Sequence, residues 1–151
     1  TPGRLNLFQF KQFQFLVDFA HNPAGLELLC DFVSKLDGEP KVGIISGTGD
    51  RRNEDIKELG KISGRYFDEI IIRQDKNLRG RTAEEIVNLL VEGIKETQPK
   101  EIPIKIIYNE KEAIMHAYNN AKPGSLITIM CDVVAEALDL IKGLKEKEDA
   151  E

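Results

Sequence analysis

The sequence predicts an α/β domain with a doubly wound, mostly parallel sheet and an amino-terminal β-hairpin. Short apolar runs typical of strands alternate along the chain with longer segments whose apolar residues recur at helical spacing. The runs in the middle of the chain are rich in valine and isoleucine, which indicates strands buried on both faces by crossover helices. The 151 residues, 41% hydrophobic and 31% charged, suit one globular domain.

The individual elements follow from these patterns in chain order. Leu5–Asp18 alternates apolar and polar side chains, and a break at Lys11-Gln12 indicates a hairpin. Four further strands are predicted at Val42–Ser46, Glu69–Arg73, Ile104–Tyr108 and Leu126–Met130. Five apolar helix faces lie around them: Leu26, Leu29, Cys30 and Val33; Ile56, Leu59 and Ile62; Ile86, Leu89, Leu90 and Ile94; Ala113, Ile114, Ala117, Tyr118 and Ala121; and Val134, Ala137, Leu138 and Ile141.

Helix starts are marked by residues that satisfy free backbone N–H groups. Thr82 and Glu85 stand at the spacing of a capping box, and Asn109 begins a similar pattern. Asn22 followed by Pro23 is typical of an N-cap with proline at the first helical position. These residues predict where the helices after three of the strands begin.

Composition and charge exclude several classes of function. The net charge of −5 and the isoelectric point near 5.2 argue against a general nucleic-acid binder, which needs a basic surface. No apolar run reaches the ~20 residues of a membrane-spanning helix, and no signal segment opens the sequence. We interpret Cys30 and Cys131, which lie on apolar faces, as buried reduced thiols. A soluble cytoplasmic protein without membrane or nucleic-acid partners is therefore expected.

Polar side chains follow three consecutive predicted strands. Asp18–Pro23 follows the first, Ser46–Arg52 the second and Arg73–Arg81 the third, so that acids, a histidine and several arginines come after strand ends. The last two strands are followed by Tyr108-Asn109 and Cys131-Asp132. Because ligands of such sheets bind beyond the carboxyl ends of the strands, this distribution predicts a binding edge.

Taken singly, each of these motifs also has a structural explanation. Gly47-Thr48-Gly49 suits a tight turn and matches neither a P-loop nor the dinucleotide-binding fingerprint. Asn22-Pro23 can be only a helix start, His21 a structural hydrogen-bonding group and Arg79-Gly80-Arg81 a solvated loop. The two histidines lie on different elements without a metal-binding spacing, so no metal site is predicted in this chain.

Asp18-Phe19-Ala20-His21-Asn22-Pro23 resembles the Asp-Tyr-Ala-His-Asn-Pro stretch that opens the carboxy-terminal domain of Mur ligases and folylpolyglutamate synthetases. Pro2-Gly3-Arg4 resembles the domain junction of that superfamily, and Gly49-Asp50-Arg51-Arg52 resembles its Gly-Asp-Arg segment. Asp75–Arg81 stands where its Asp-x-x-Arg substrate loop lies. Gly47–Asp55 and Asp75–Arg81 look most like the Mur-type half of cyanophycin synthetase. Phe19 replaces the usual tyrosine, which removes a hydroxyl but keeps the ring.

This resemblance implies a Rossmann-like domain, residues 1–151, that is a fragment of a larger multidomain ligase and inactive alone. In the superfamily, ATP phosphorylates a carboxylate, an amine attacks the acyl phosphate, and phosphate leaves as an amide forms. The P-loop and the Mg²⁺ ligands lie mainly in a central domain of the same protein. For cyanophycin synthetase, the amine is arginine and the acceptor is the side-chain carboxylate of poly-aspartate.

The resemblance also assigns roles to residues. Asp18 would accept hydrogen bonds from the ATP ribose hydroxyls, while His21 and Asn22 would lie near phosphate at a helix amino terminus. Six residues would bind the acceptor or the incoming amino acid through carboxylate–guanidinium pairs: Asp50, Arg51, Arg52, Asp75, Arg79 and Arg81.

Two other functions fit the same residues. A stand-alone α/β module would use the strand ends to sense a nucleotide or an acidic peptide, and tight ATP binding by the isolated chain would indicate it. A peptidoglycan- or folylpolyglutamate-type ligase domain is the alternative within the enzyme class. The amino acid that the intact protein prefers would identify that alternative.

Overall fold

The computed structural model describes residues 5–47, 52–97 and 101–151, which form six strands and five helices. The strands are β1 (Asn6–Gln9), β2 (Gln14–Asp18), β3 (Lys41–Ile45), β4 (Glu69–Ile72), β5 (Ile104–Ile106) and β6 (Leu126–Met130). The helices are α1 (Pro23–Ser34), α2 (Asn53–Tyr66), α3 (Ala83–Thr97), α4 (Glu110–Asn119) and α5 (Val134–Asp149). No described helix has the length and apolar character needed to cross a bilayer.

The six strands form one sheet in the order β1-β2-β6-β3-β4-β5. β1 and β2 are an antiparallel hairpin, and the other neighbouring pairs in the described sheet run parallel. β6 lies between β2 and β3, so that Met130 pairs with Asp18 and Ile129 pairs with Ile44. The predicted fold class, a mostly parallel α/β sheet with an amino-terminal hairpin, is confirmed.

Several predicted strands end earlier in the structure than in the sequence pattern. Ser46 and Arg73 were expected as the last strand residues, whereas β3 ends at Ile45 and β4 at Ile72. Backbone pairing nevertheless continues one step further, because the Arg73 N–H donates to the Ile45 carbonyl oxygen at 2.9 Å. Ser46 and Arg73 therefore lie just beyond the strands, where both side chains donate hydrogen bonds to Asp75.

Two hydrophobic clusters cover the two faces of the sheet. The cluster under α1, α2 and α3 takes Leu16 and Ile45 from the strands. The cluster under α4 and α5 takes Phe15 and Ile44 from the opposite face, together with the aromatic residues of the hairpin. Successive strand residues alternate between the clusters, which is why the central strands are apolar throughout.

The predicted helix caps are confirmed. The Glu85 N–H donates to Thr82 Oγ1 at 3.1 Å, and the Thr82 N–H donates back to Glu85 Oε2 at 3.3 Å. Asn22 Oδ1 accepts from the Gly25 N–H at 2.7 Å, and Asn109 Oδ1 accepts from the amide three residues later at 2.9 Å. These local bonds fix the start of each helix just beyond the strand that precedes it.

The two cysteines are buried and free, as the sequence predicts. Burial raises the pKa of the Cys30 thiol to about 12 and that of Cys131 likewise to about 12. Thiols that resist ionisation in this way are inert small hydrophobic side chains rather than nucleophiles.

α2 and α3 touch backbone to backbone through two glycines. A Cβ atom placed on Gly60 would collide with the carbonyl group of Leu90, and one on Gly93 would collide with the carbonyl oxygen of Lys57. The two helices can approach this closely only because neither position carries a side chain.

We predict that Gly93→Ala lowers the free energy of unfolding by about 1–3 kcal/mol, because the added methyl group must push the helices apart. Gly143→Ala is the matched control, since that exposed glycine of α5 has open space around it. There the change raises stability by about 0.5–1 kcal/mol through helix propensity alone. Urea unfolding measures both values, and equal effects in the two variants would contradict the close approach.

Candidate functional site at the carboxyl edge of the sheet

The carboxyl ends of β2, β6, β3 and β4 lie side by side along one edge of the sheet, which we call the rim. A cavity of about 310 Å³, the rim cavity, opens there between residues that follow all four strands. Phe19 and His21 line it from the segment after β2, and Asp75 and Arg79 from the segment after β4. Asp132 lines it from the segment after β6. The fold therefore brings polar groups from distant parts of the chain to one opening.

Asp18 ends β2 and joins the hairpin and β6 to the rim. Its Oδ1 accepts a hydrogen bond from the Leu5 N–H at 3.0 Å, and its carbonyl oxygen accepts one from the Cys131 N–H at 3.0 Å. Within the described ranges, its Oδ2 has no hydrogen-bond partner. One carboxylate oxygen therefore remains available to a ligand.

Phe19 and His21 form an exposed wall between two openings. The Phe19 ring is 42% exposed, and its centroid lies 5.5 Å from that of the His21 ring. A second cavity of about 270 Å³ lies beyond them, bordered by Asp18 and by the exposed side chains of Leu5 and Leu28. An exposed aromatic ring beside a carboxylate and a helix amino terminus offers a flat apolar face next to polar groups.

Arg73 is a buried arginine at the end of β4, with only 2% of its side chain exposed. The Met130 carbonyl oxygen accepts from its Nε at 2.8 Å and from its Nη2 at 2.5 Å. Asp75 Oδ1 accepts from its Nη1 at 2.6 Å, and Glu110 Oε2 lies 3.1 Å from its Nε. We call Arg73, Asp75 and Glu110 the guanidinium cluster.

The guanidinium cluster extends by hydrogen bonds into two neighbouring segments. Ser46 Oγ, after β3, donates to Asp75 Oδ1 at 3.0 Å. The Asp132 N–H, after β6, donates to Glu110 Oε2 at 2.7 Å, and Asp132 Oδ2 accepts from the Lys76 N–H at 2.8 Å. The buried charge of Arg73 thus joins the ends of β3, β4 and β6 to the start of α4.

Burial is the largest influence on the pKa of Glu110. Desolvation raises the pKa of its carboxyl group, and this effect outweighs the nearby Arg73 guanidinium and the Asp132 N–H, which both lower it. The charges of Asp132 and Asp75 raise it further. The ionised form of Glu110 is therefore less favourable in the cluster than it would be in water.

Comparison with known proteins identifies the family. The chain matches the family model described as Mur ligase, glutamate ligase domain over residues 3–132. The chain belongs to this family. It is 39% identical over 145 residues, 96% of its length, to the cyanophycin synthetase of Synechocystis sp.. It spans 16% of that relative's length.

Two solved structures share the fold of this Mur ligase domain. A UDP-N-acetylmuramoyl-L-alanyl-D-glutamate–2,6-diaminopimelate ligase superposes with a TM-score of 0.73 at 22% identity, over 85% of this chain and 26% of that one. E. coli FolC in complex with ADP superposes with a TM-score of 0.72 at 21% identity, over 97% of this chain and 33% of that one. At these identities, the likeness concerns the fold alone.

The residues predicted to bind substrate in this Mur ligase domain lie in different environments. Asp75, 16% exposed, and the exposed Arg79 line the rim cavity. Arg52 precedes α2 and pairs with its acidic first turn, its Nε lying 3.2 Å from an Asp55 carboxylate oxygen. Arg81 pairs with Glu85 of α3 at 3.4 Å. Ligand binding by Arg52 or Arg81 would therefore compete with pairs inside the chain.

Some predicted positions lie outside the described residues. Asp50 and Arg51 fall in the segment between residues 47 and 52, and Pro2-Gly3-Arg4 precedes residue 5. Asn22 is described, and its side chain caps α1. Its proposed place near phosphate would be in addition to this structural role.

A larger cavity of about 850 Å³ adjoins the rim cavity on the side of α4 and α5. Asp75 and Asp132 line both cavities, and Glu110, Glu136 and Asp139 add further acidic groups to the larger one. Lys76, Lys111 and the buried Arg73, which pairs with Asp75 and Glu110, compensate only part of this charge. Such an acidic opening attracts cationic ligands.

Metal binding finds no support in the described part of the chain. No group of three or more histidine, cysteine, aspartate and glutamate residues there is arranged to hold an ion. The carboxylates of the guanidinium cluster are already paired with Arg73. They do not form the open oxygen cage that Mg²⁺ prefers.

The sequence patterns do not reveal Arg73, Glu110 and Asp132 as a connected group. Arg73 is predicted as the last residue of a strand, and Glu110 only follows the predicted helix cap Asn109. The sequence feature that points to this cluster is a charged residue, Arg73, at the end of an otherwise apolar strand. Its partners could not be inferred, because β6 enters the sheet between β2 and β3 only in three dimensions.

We predict a pH-dependent effect of Glu110→Gln. Because the pKa of Glu110 is raised in the folded protein, its contribution to stability is complete below the ordinary value of 4.5 and is lost as the pH rises through the folded pKa. Wild type should therefore lose stability relative to Glu110→Gln as the pH increases above 4.5. Urea unfolding at several pH values measures this difference.

Glu84→Gln is the control for this experiment, since it removes an exposed carboxylate of α3 away from the guanidinium cluster. A difference between wild type and Glu110→Gln that stays level with pH, or that grows in favour of wild type, would contradict the dominance of desolvation.

Proposed function

We propose that this chain is the carboxy-terminal domain of an ATP-dependent amino-acid ligase that acts as a cyanophycin synthetase, adding arginine to the side-chain carboxylates of poly-aspartate. The observation that carries the proposal is the rim cavity. In it, the segment after β2, proposed to bind nucleotide, faces the segment after β4, proposed to bind the amino acid. The 39% identity to a cyanophycin synthetase favours arginine over other amino acids.

The nucleotide would lie against the segment from Asp18 to Asn22. Asp18 Oδ2 would accept hydrogen bonds from the ribose hydroxyls, and the exposed Phe19 ring would support the base. His21 and the amino terminus of α1 would lie near phosphate, where backbone N–H groups and the helix dipole favour anions. E. coli FolC, of which about one third shares this fold, is solved in complex with ADP, which supports a nucleotide ligand for a protein that contains such a domain.

The amino acid would lie between Arg79 and the acidic groups of the rim. The Arg79 guanidinium can hold the α-carboxylate through two parallel hydrogen bonds. Asp75 uses Oδ1 inside the protein, and its Oδ2, without a hydrogen-bond partner among the described residues, can accept from a cationic side chain. The acidic charge of the adjoining larger cavity favours arginine over an acidic amino acid. Asp50, Arg51, Arg52 and Arg81 would contribute to acceptor and amino-acid binding.

The reaction forms one amide bond in two chemical steps. A poly-aspartate side-chain carboxylate receives the γ-phosphoryl group of ATP and becomes an acyl phosphate, and ADP leaves. The arginine amine then attacks the acyl carbon, and phosphate leaves as the amide forms. Residues of this chain would orient the amine and exclude water from the acyl phosphate when the domains close. The P-loop and the Mg²⁺ ligands would come from a central domain.

We predict that Asp18→Asn and Arg79→Ala separate the two halves of the site in the full-length ligase. Arg79→Ala should lower kcat/KM for arginine by about 10–100-fold, since a charge-assisted hydrogen bond contributes about 1.5–3 kcal/mol. Asp18→Asn should mainly raise the KM for ATP, because it weakens the acceptor for the ribose. ATP-dependent incorporation of arginine into poly-aspartate measures both.

Matched controls are Arg65→Ala and Asp31→Asn, which alter an exposed arginine of α2 and an exposed aspartate of α1 away from the rim. Unchanged incorporation in both Asp18→Asn and Arg79→Ala would refute the site assignment.

A further inference from the structure

Arg73 lines the rim cavity, but its side chain is only 2% exposed there. Its side chain is buried and donates to the Met130 carbonyl oxygen and to Asp75, and it forms an ion pair with Glu110. Through Asp75 it holds the segment after β4. Through Glu110, which accepts from the Asp132 N–H, it holds the segment after β6.

We propose that Arg73 is a positioning residue that sets the distance between Asp75 and Asp132 in the rim cavity and thereby determines the affinity for the incoming amino acid. This inference rests on the proposed function, because Asp75 and Arg79 belong to the segment that would bind that amino acid. Lys76 joins the two sides once more, since its N–H donates to Asp132 Oδ2. A shift at Arg73 would therefore move both walls of the cavity.

The guanidinium group suits this role because of its shape. Its planar fork donates to the Met130 carbonyl oxygen and to Asp75 while its charge pairs with Glu110, so that it contacts three different segments at the same time. A lysine at this position would bring the same charge but would concentrate its donors on one atom at the end of a flexible stem. It could not hold Met130, Asp75 and Glu110 in their present relative positions.

The energetics of the cluster argue against a role in stability alone. Burial raises the pKa of Glu110 although Arg73 lies 3.1 Å away, so the attraction between them does not repay the desolvation of the carboxylate. Buried ion pairs of this kind are often no more stabilising than apolar side chains of similar volume. What the cluster supplies is a defined geometry at the ends of three strands.

The test compares Arg73→Lys with wild type in the full-length ligase. Arg73→Lys should raise the KM for arginine by about 10-fold or more while the KM for ATP stays within about 2-fold. The cluster reaches the nucleotide segment only through the Met130-Cys131 peptide group, whose N–H donates to the Asp18 backbone carbonyl and not to its carboxylate. Ser46→Ala removes the hydroxyl that donates to Asp75 and introduces no buried charge. It should raise the KM for arginine by a smaller factor, about 3-fold.

Lys41→Met is the matched control. Lys41 is buried and pairs with Glu39 at 3.0 Å, but it lies at the amino end of β3, on the opposite edge of the sheet. Lys41→Met should lower the melting temperature without changing the KM for arginine or the KM for ATP. If Arg73→Lys and Ser46→Ala behave like Lys41→Met, with lower stability and an unchanged KM for arginine, the inference is overturned.

Hydrogen exchange on the present chain provides a readout that does not depend on catalysis. Arg73→Lys should accelerate exchange of the backbone N–H groups of Lys76 and Asp132, while peptides from the β1–β2 hairpin stay as in wild type. Unchanged exchange at Lys76 and Asp132 would overturn the inference whatever the enzyme does. A wild-type ligase that consumes no ATP in response to any amino acid would instead overturn the proposed function.

Discussion

The rim depends on one buried charge, the guanidinium group of Arg73. A cation removed from water must be paired and hydrogen-bonded, and only groups from several segments together can satisfy it. Asp75 comes from its own segment, the Met130 carbonyl from β6 and Glu110 from the start of α4. The requirement to satisfy this one side chain therefore draws the ends of separate elements into a fixed arrangement around the rim cavity.

The position of β6 determines which groups meet at the rim. β6 is the last strand in the chain, yet it lies between β2 and β3. The segment after β6, with Asp132, consequently stands between the Asp18–Asn22 segment and the segment that carries Asp75 and Arg79. A proposed nucleotide half and a proposed amino-acid half then face one cavity, and Phe19 and His21 form the exposed wall on the nucleotide side.

Local and periodic features of this molecule could be predicted from the sequence, whereas its long-range polar contacts could not. The caps at Asn22 and Thr82 depend on residues three positions away, and the apolar runs reveal which strands are buried on both faces. Arg73 and Glu110 bond across the sheet, so their pairing depends on strand order and on the register of β4 beside β5. Arg81 is close to Asp75 in sequence, yet it does not line the rim cavity and instead pairs with Glu85 of α3.

The central claim is that this edge of the sheet selects a cationic amino acid for ATP-dependent ligation. Its most direct test is ADP release by the full-length protein with a poly-aspartate acceptor, measured with arginine, lysine, glutamate and diaminopimelate in turn. The account predicts that arginine stimulates ADP release most strongly and that glutamate leaves it at the basal level. Stimulation by glutamate or diaminopimelate but not by arginine would contradict it.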